Sequence, residues 1–136
     1  MIRKLTFATV YVLNQVSAYD FYVNKLGFKV HTDAPLGNDN RWLTVTPPEQ
    51  PEIEISLLLV VENEMFTKEA VKTVTDLIKK GTFGHGGFEC NDIYATYEEL
   101  KSKGVEFAKP PKEEFYGVAA VFKDDSGNWF SLTQKG

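Results

Sequence analysis

Apolar and polar residues change rhythm along the chain, and the changes mark the elements. Residues 5–13, Leu5-Thr6-Phe7-Ala8-Thr9-Val10-Tyr11-Val12-Leu13, are rich in β-branched and aromatic side chains and predict a strand. Asn14 is a suitable cap for a helix over 16–26, in which Ala18, Tyr22 and Leu26 fall four residues apart, and Gly27 ends it. Residues 28–32 predict a short strand. Residues 33–40 contain Pro35, Gly37, Asn38, Asp39 and Asn40 and predict a loop. A strand follows over 41–46, then a proline-rich turn over 47–51. Residues 52–61 alternate first and then run continuously apolar, as a long, partly buried strand does. Residues 67–80 predict an amphipathic helix with Ala70, Val74, Leu77 and Ile78 on one face, closed by Gly81.

The pattern then restarts. Residues 84–90 predict a glycine-rich strand, and Asn91 or Asp92 caps a helix with Ile93, Tyr97 and Leu100 on one face, ended by Gly104. Residues 105–108 predict a strand that Lys109-Pro110-Pro111-Lys112 breaks. Two further strands, 116–123 and 129–134, flank the turn Asp124-Asp125-Ser126-Gly127-Asn128. Asn14, Ala18 and Gly27 recur as Asn91, Ala95 and Gly104 at one common offset, which argues for duplication. The expectation is an α+β fold of two βαβββ modules, about 1–63 and 82–136, joined by a bridging helix at 64–81 in a single domain. A helix covers one face of each sheet. The other face must meet a partner or form a concave site, so an open, curved mixed sheet with a cleft is expected.

Composition narrows the function. The 136 residues carry 15 Lys+Arg against 19 Asp+Glu, a net charge of -4, which argues against nucleic acid as a partner. One cysteine, Cys90, excludes an internal disulfide framework and a multi-cysteine zinc site and suits a reducing cytoplasm. Phe88 and the strand-like setting mark it as a buried structural thiol rather than a nucleophile. No apolar run reaches the roughly 20 residues that span a membrane. Arg3 and Lys4 before the first apolar run superficially resemble a signal peptide, but the Thr and Tyr within that run favour a strand. A cytoplasmic protein is expected.

Three motifs resemble one family. Ala18-Tyr19-Asp20-Phe21-Tyr22 followed by Lys25-Leu26-Gly27-Phe28 resembles the first-module signature of the vicinal oxygen chelate superfamily, which includes glyoxalase I, bleomycin-resistance proteins, fosfomycin-resistance enzymes and extradiol dioxygenases. Asp92-Ile93 with Tyr97 through Leu100 and Gly104-Val105 resembles its second-module signature, and Phe122-Lys123-Asp124-Asp125-Ser126-Gly127-Asn128 its closing turn. The resemblance covers essentially the whole chain. It implies paired βαβββ modules and, in the metal enzymes, one divalent ion held by His or Gln, Glu, His and Glu from the strands. It also implies a homodimer, since relatives commonly form one. The motifs specify fold far better than reaction.

Carried over one at a time, the metal positions fall on Phe7, Ser56, His85 and Ser131. An aromatic ring and two serine hydroxyls are poor ligands. Glu54, two residues before Ser56 on the same strand face, is the only plausible partner for His85 in a weak site. His85 therefore has three readings: a metal ligand, an acid-base or hydrogen-bonding group in the cleft, or a strand histidine with a local partner. His31 is expected to face solvent. Phe7, Trp42, Phe88, Tyr116, Phe122 and Trp129 either line an aromatic cleft or belong to the core. Alternation places Thr9 and Tyr11 with Phe7, and Trp129 and Thr133 with Ser131, while Phe130 and Leu132 face the helices. Arg41 is either an anion partner or a solvated strand-end charge. Gly84, Gly86 and Gly87 lack phosphate-loop spacing.

Two functions from different classes follow. The first is a small-molecule-binding protein without a complete metal site, its ligand cleft lined by Phe7, Thr9, Trp42, Ser56, His85, Tyr116, Trp129 and Ser131, and with no cofactor. The second is a lyase, isomerase or dioxygenase-type enzyme with His85 as its catalytic residue and a weak divalent metal held by His85 and Glu54. A third, an interaction module that uses its open sheet face for dimerisation alone, lacks a distinguishing residue.

Overall fold

A computed structural model describes residues 1–135. The chain forms two compact units, Met1–Thr75 and Asp76 onward. The first contains β1 (Phe7–Val12), α1 (Gln15–Tyr19), β2 (Lys29–Gly37), β3 (Asn40–Thr46) and β4 (Glu54–Leu59). Helix α2 (Lys68–Lys79) begins in the first unit and ends in the second. The second contains β5 (His85–Glu89), α3 (Ile93–Ser102), β6 (Phe107–Glu114), β7 (Gly117–Lys123) and β8 (Trp129–Lys135). The strands form two four-stranded mixed sheets, ordered β1-β4-β3-β2 and β5-β8-β7-β6. In each, one parallel pair, β1 with β4 or β5 with β8, adjoins antiparallel strands. The βαβββ order, the repeat and the α+β class are as the sequence expects.

Local chemistry accounts for the helices. Asn14 Oδ1 accepts the Ser17 N–H at 2.9 Å, and Asp92 Oδ1 accepts the Ala95 N–H at 3.1 Å, so both duplicated caps satisfy an orphan donor of the first turn. The first helix is not uniform. After Tyr19 it continues as a wider π-helical segment, Asp20–Lys25. That winding buries Phe21 and Tyr22 together, in contact with Phe28.

Two sequence expectations need correction. Residues 33–40 are not a loop: β2 runs through Pro35 to Gly37, and Asn38 and Asp39, with φ of 54° and 62°, make a two-residue turn into β3. Likewise Pro110 and Pro111 do not break the strand after α3, because β6 continues through them to Glu114. Both are edge strands, where a proline without an N–H forfeits no ladder bond on its open side. Register shifts near Pro35 and between Lys109 and Lys112 absorb the misfit.

Each core lies between a sheet and its helix. In the first unit Val12, Ala18, Tyr22, Leu43, Val45 and Leu57 are buried, with α1 against β3 and β4. Fully burying such a side chain stabilises by about 1.5–3 kcal/mol. In the second, Phe88, Phe122 and Phe130 stack at centroid distances of 5.0–6.3 Å, and Tyr97 of α3 reaches them through Phe107. Phe122 is therefore a core residue, and Phe88 is half-buried at the edge of the same cluster. Phe130 and Leu132 are buried on the helix side, as alternation predicts.

Candidate functional site

The face of the first sheet that does not pack against α1 carries a row of hydroxyls. Strand pairing sets Thr9 beside Ser56, Ser56 beside Thr44, and Thr44 beside Thr32, one residue from each of the four strands. Ser56 and Thr44 are both 0% exposed. On the same face Phe7 of β1 and Trp42 of β3 meet edge to face at 5.2 Å, so their rings reach across the intervening β4, the strand of Ser56. The Ser56 hydroxyl is buried with no hydrogen-bond partner. A buried hydroxyl left unpaired costs about 1–3 kcal/mol.

Glu54 stands at the edge of this row, paired in register with Phe7. Thr44 donates its hydroxyl to Glu54 Oε1 at 2.8 Å, and His31 Nδ1 approaches the same oxygen at 2.9 Å. The sequence expectation for His31 holds in part: its side chain is 49% exposed, yet its ring contacts the Glu54 carboxylate. The signal was concealed in a bulge. Val30 faces Val45 and Thr32 faces Thr44, so His31 is the extra residue, and the kink re-aims its ring. Arg41, meanwhile, pairs with Asp33 across the same hairpin, which raises its guanidinium pKa through the hydrogen bond and the charge.

On the second sheet, His85 pairs in register with Trp129 and Gly87 with Ser131. His85 Nε2 lies 3.3 Å from Ser131 Oγ. The Trp129 indole N–H is buried without a partner against Gly81, where an added Cβ would stand 2.4 Å from Nε1. Lys123 Nζ lies 5.6 Å from that ring's centroid. Tyr116 is not on the strand face. It stands in the turn between β6 and β7, edge to face with Phe115 at 5.1 Å. The structure thus groups Phe7, Thr9, Trp42, Ser56 and Glu54 in the first unit and His85, Trp129 and Ser131 in the second.

Two residues position the elements around the site, and the sequence signalled only one of them. Buried Gln15 donates to the carbonyls of Arg41 and Leu57, both at 2.8 Å, and accepts the Arg41 N–H at 3.0 Å. It ties the start of α1 to β3 and β4. Asp124 organises the last turn: its Oδ1 accepts the N–H groups of Ser126, Gly127 and Asn128, each at 2.9 Å, and Oδ2 accepts from the Asn128 amide. The turn also seats Gly127 against the Ile78 carbonyl at the end of α2, with φ of +120°. The turn motif signalled Asp124. Nothing local signalled Gln15, whose partners lie 26 and 42 residues away.

The model of the Glyoxalase/Bleomycin resistance protein/Dioxygenase superfamily matches residues 4–132. The chain belongs to this superfamily. Among curated proteins, YetH of Bacillus subtilis (strain 168) is 34% identical over 134 residues, 98% of this chain and 100% of YetH. YurT of the same organism is 33% identical over 132 residues, covering 97% and 99%. Among solved structures, UcmS2 shares 44% identity with a TM-score of 0.91, covering 99% of this chain and 100% of UcmS2. A superfamily member from Sphaerobacter thermophilus DSM 20745 shares 32% identity with a TM-score of 0.76, covering 98% of each chain. TnmS3, an antibiotic binding protein from Streptomyces sp. CB03234, shares 28% identity with a TM-score of 0.74, covering 99% and 98%.

The superfamily's metal enzymes pose a test of the donor set. Phe7 offers a ring engaged by Trp42, Ser56 a neutral hydroxyl, and Ser131 a hydroxyl already approached by His85. Glu54 Oε1 already accepts from Thr44 and faces His31. Among the described residues no three His, Cys, Asp or Glu side chains converge. This donor set does not fit a resident divalent ion of the superfamily type.

Proposed function

We propose that this superfamily member binds a small organic molecule on the helix-free faces of its sheets, without a metal, and acts by holding its guest rather than transforming it. The carrying observation is Ser56: a buried hydroxyl without a partner, beside the Phe7–Trp42 ring pair. Aromatic walls with one unsatisfied polar group suit a flat guest with a polar edge. The proposed contacts are Phe7, Thr9, Trp42 and Ser56 on the first sheet and, taken separately, His85, Trp129 and Ser131 on the second, with Tyr116 standing off that sheet in its turn. The similarity to TnmS3, an antibiotic binding protein, supports an antibiotic-like guest. The test is a thermal-shift and calorimetric titration with a panel of aromatic antibiotics and, separately, with divalent ions. An aromatic compound should stabilise the protein stoichiometrically. A stoichiometric, stabilising ion of micromolar or tighter affinity overturns the metal-free reading.

A second reading rests on the His85–Ser131 contact, which places an imidazole beside a hydroxyl as a general base would need. It makes the protein a lyase- or isomerase-type enzyme with His85 as its base. A substrate panel on wild type and His85→Ala decides it, since equal turnover in both removes the histidine mechanism. We further propose a homodimer, supported by the family and by Phe115, whose side chain is fully exposed at the hairpin tip. Light scattering on the eluted protein should give twice the 15.4 kDa chain mass.

A further inference from the structure

We propose that His31 and Glu54 form a recognition couple for a hydrogen-bond donor, a protonated amine above all, carried by the guest. The proposal rests on the small-molecule reading above and adds a residue, His31, and a guest chemistry.

The geometry sets the protonation. A carboxylate only accepts, so the imidazole nitrogen facing Glu54 at 2.9 Å, Nδ1, carries the hydrogen. Thr32 Oγ1 stands 2.9 Å from the same nitrogen and holds the ring in place. The Thr44 hydroxyl fills the other approach to Oε1. One acceptor of the couple then has no protein partner among the described residues, Oε2 of Glu54, and Nε2 of His31 is a second acceptor when the imidazole is neutral. Both side chains reach solvent, at 25% and 49% exposure.

The surrounding charge selects the guest. The neutral-imidazole form of the couple carries one negative charge, on Glu54. Of the two other cations of the hairpin, Arg41 is committed to Asp33, and Lys29 stands at the start of β2, paired in register with Thr46. A protonated amine gains a charge-assisted hydrogen bond there, a neutral hydroxyl gains an ordinary one, and a carboxylate meets repulsion. The hydroxyl row beginning at Thr44 and Ser56 adjoins the couple, so a guest seated over Ser56 would bring its substituent to Glu54.

The test uses the whole chain and three matched probes: 1-naphthylmethylamine, 1-naphthalenemethanol and 1-naphthoic acid. Nitrogen-15 spectra of the imidazoles are simple, because the chain has two histidines and His85→Gln assigns them. Wild type at neutral pH should show His31 as the Nδ1–H tautomer, and Glu54→Gln should shift it toward Nε2–H. The amine should bind about tenfold or more tighter than the carboxylate, the worth of one hydrogen bond to a charged group, and should move the His31 signals. Glu54→Gln and His31→Gln should each reduce that preference. An Nε2–H tautomer in wild type overturns the couple. Binding of all three probes without discrimination overturns the recognition role alone, and binding of none overturns both the role and the small-molecule reading beneath it.

Discussion

Phe7 and Glu54 are direct partners across the parallel β1–β4 pair, so an aromatic ring and a carboxylate stand side by side where the first sheet begins. The second sheet reverses the arrangement, with the donor His85 on the first strand and the ring of Trp129 on the last. Each module thus keeps one strong donor and one aromatic at this register position. Divalent ions should therefore bring no stoichiometric stabilisation to the wild-type protein. Zinc, nickel and manganese, added at a few equivalents and read by thermal shift, should leave Tm within about 1 °C, well under the several degrees that about 1 kcal/mol of binding produces in a domain of this size.

Removing the unpaired hydroxyl separates stability from function. Ser56→Ala should leave stability unchanged or raise it by up to about 1 kcal/mol, because the hydroxyl has no partner to lose. The same substitution should weaken binding of a polar aromatic guest about fivefold or more. Urea unfolding and calorimetry check the two halves. Clear destabilisation by Ser56→Ala would show a partner within the folded protein.

Asp124→Ala should be among the costly substitutions. It leaves three backbone N–H groups of the closing turn without their acceptor and loosens the seat of Gly127 against the end of α2. A loss of about 3 kcal/mol is expected in urea unfolding, with the midpoint falling at constant slope.

Gln15→Ala should cost about 2–4 kcal/mol by the same logic, since it unpairs one N–H and two carbonyls at the junction of α1 with β3 and β4. Hydrogen exchange at the Arg41 amide should accelerate more than exchange in the second unit, because the lost contacts are all in the first.

Cys90 gives a pH-dependent prediction. Burial raises its thiol pKa, with Asp92 and Glu89 adding to the effect and a hydrogen bond involving Thr96 opposing it. The folded state therefore holds the thiol proton more tightly than the unfolded chain. The stability linked to this group is fully present below the ordinary thiol pKa and is lost as pH rises through the folded value. Cys90 is half-buried rather than fully buried as the sequence suggested, so labelling by a disulfide reagent at pH 8 should be slower in the native protein than in urea, and equal rates would contradict its partial burial.

The elements were legible in the sequence because each rests on local chemistry. Asn14 and Asp92 cap their helices through contacts three residues away, and Gly27, Gly81 and Gly104 close helices with positive φ. The misread segments, around Pro35 and around Pro110-Pro111, share a different cause. Proline breaks a strand only where its missing N–H is needed, and that depends on whether the strand lies at a sheet edge. The site was half legible. Alternation correctly put Phe7 and Thr9, or Trp129 and Ser131, on common faces, but it was silent on which residue of another strand would meet them.

By itself, then, the sequence determined two duplicated βαβββ modules of α+β class and their superfamily. Period, caps and residue chemistry suffice for those. Only the tertiary structure decided that Phe7 and Trp42 meet across β4, that the Ser56 hydroxyl is buried unpaired, and that a bulge turns His31 onto Glu54. These depend on strand order and register, set by pairing between distant residues, and a one-residue slip of register would send every one of those side chains to the other face.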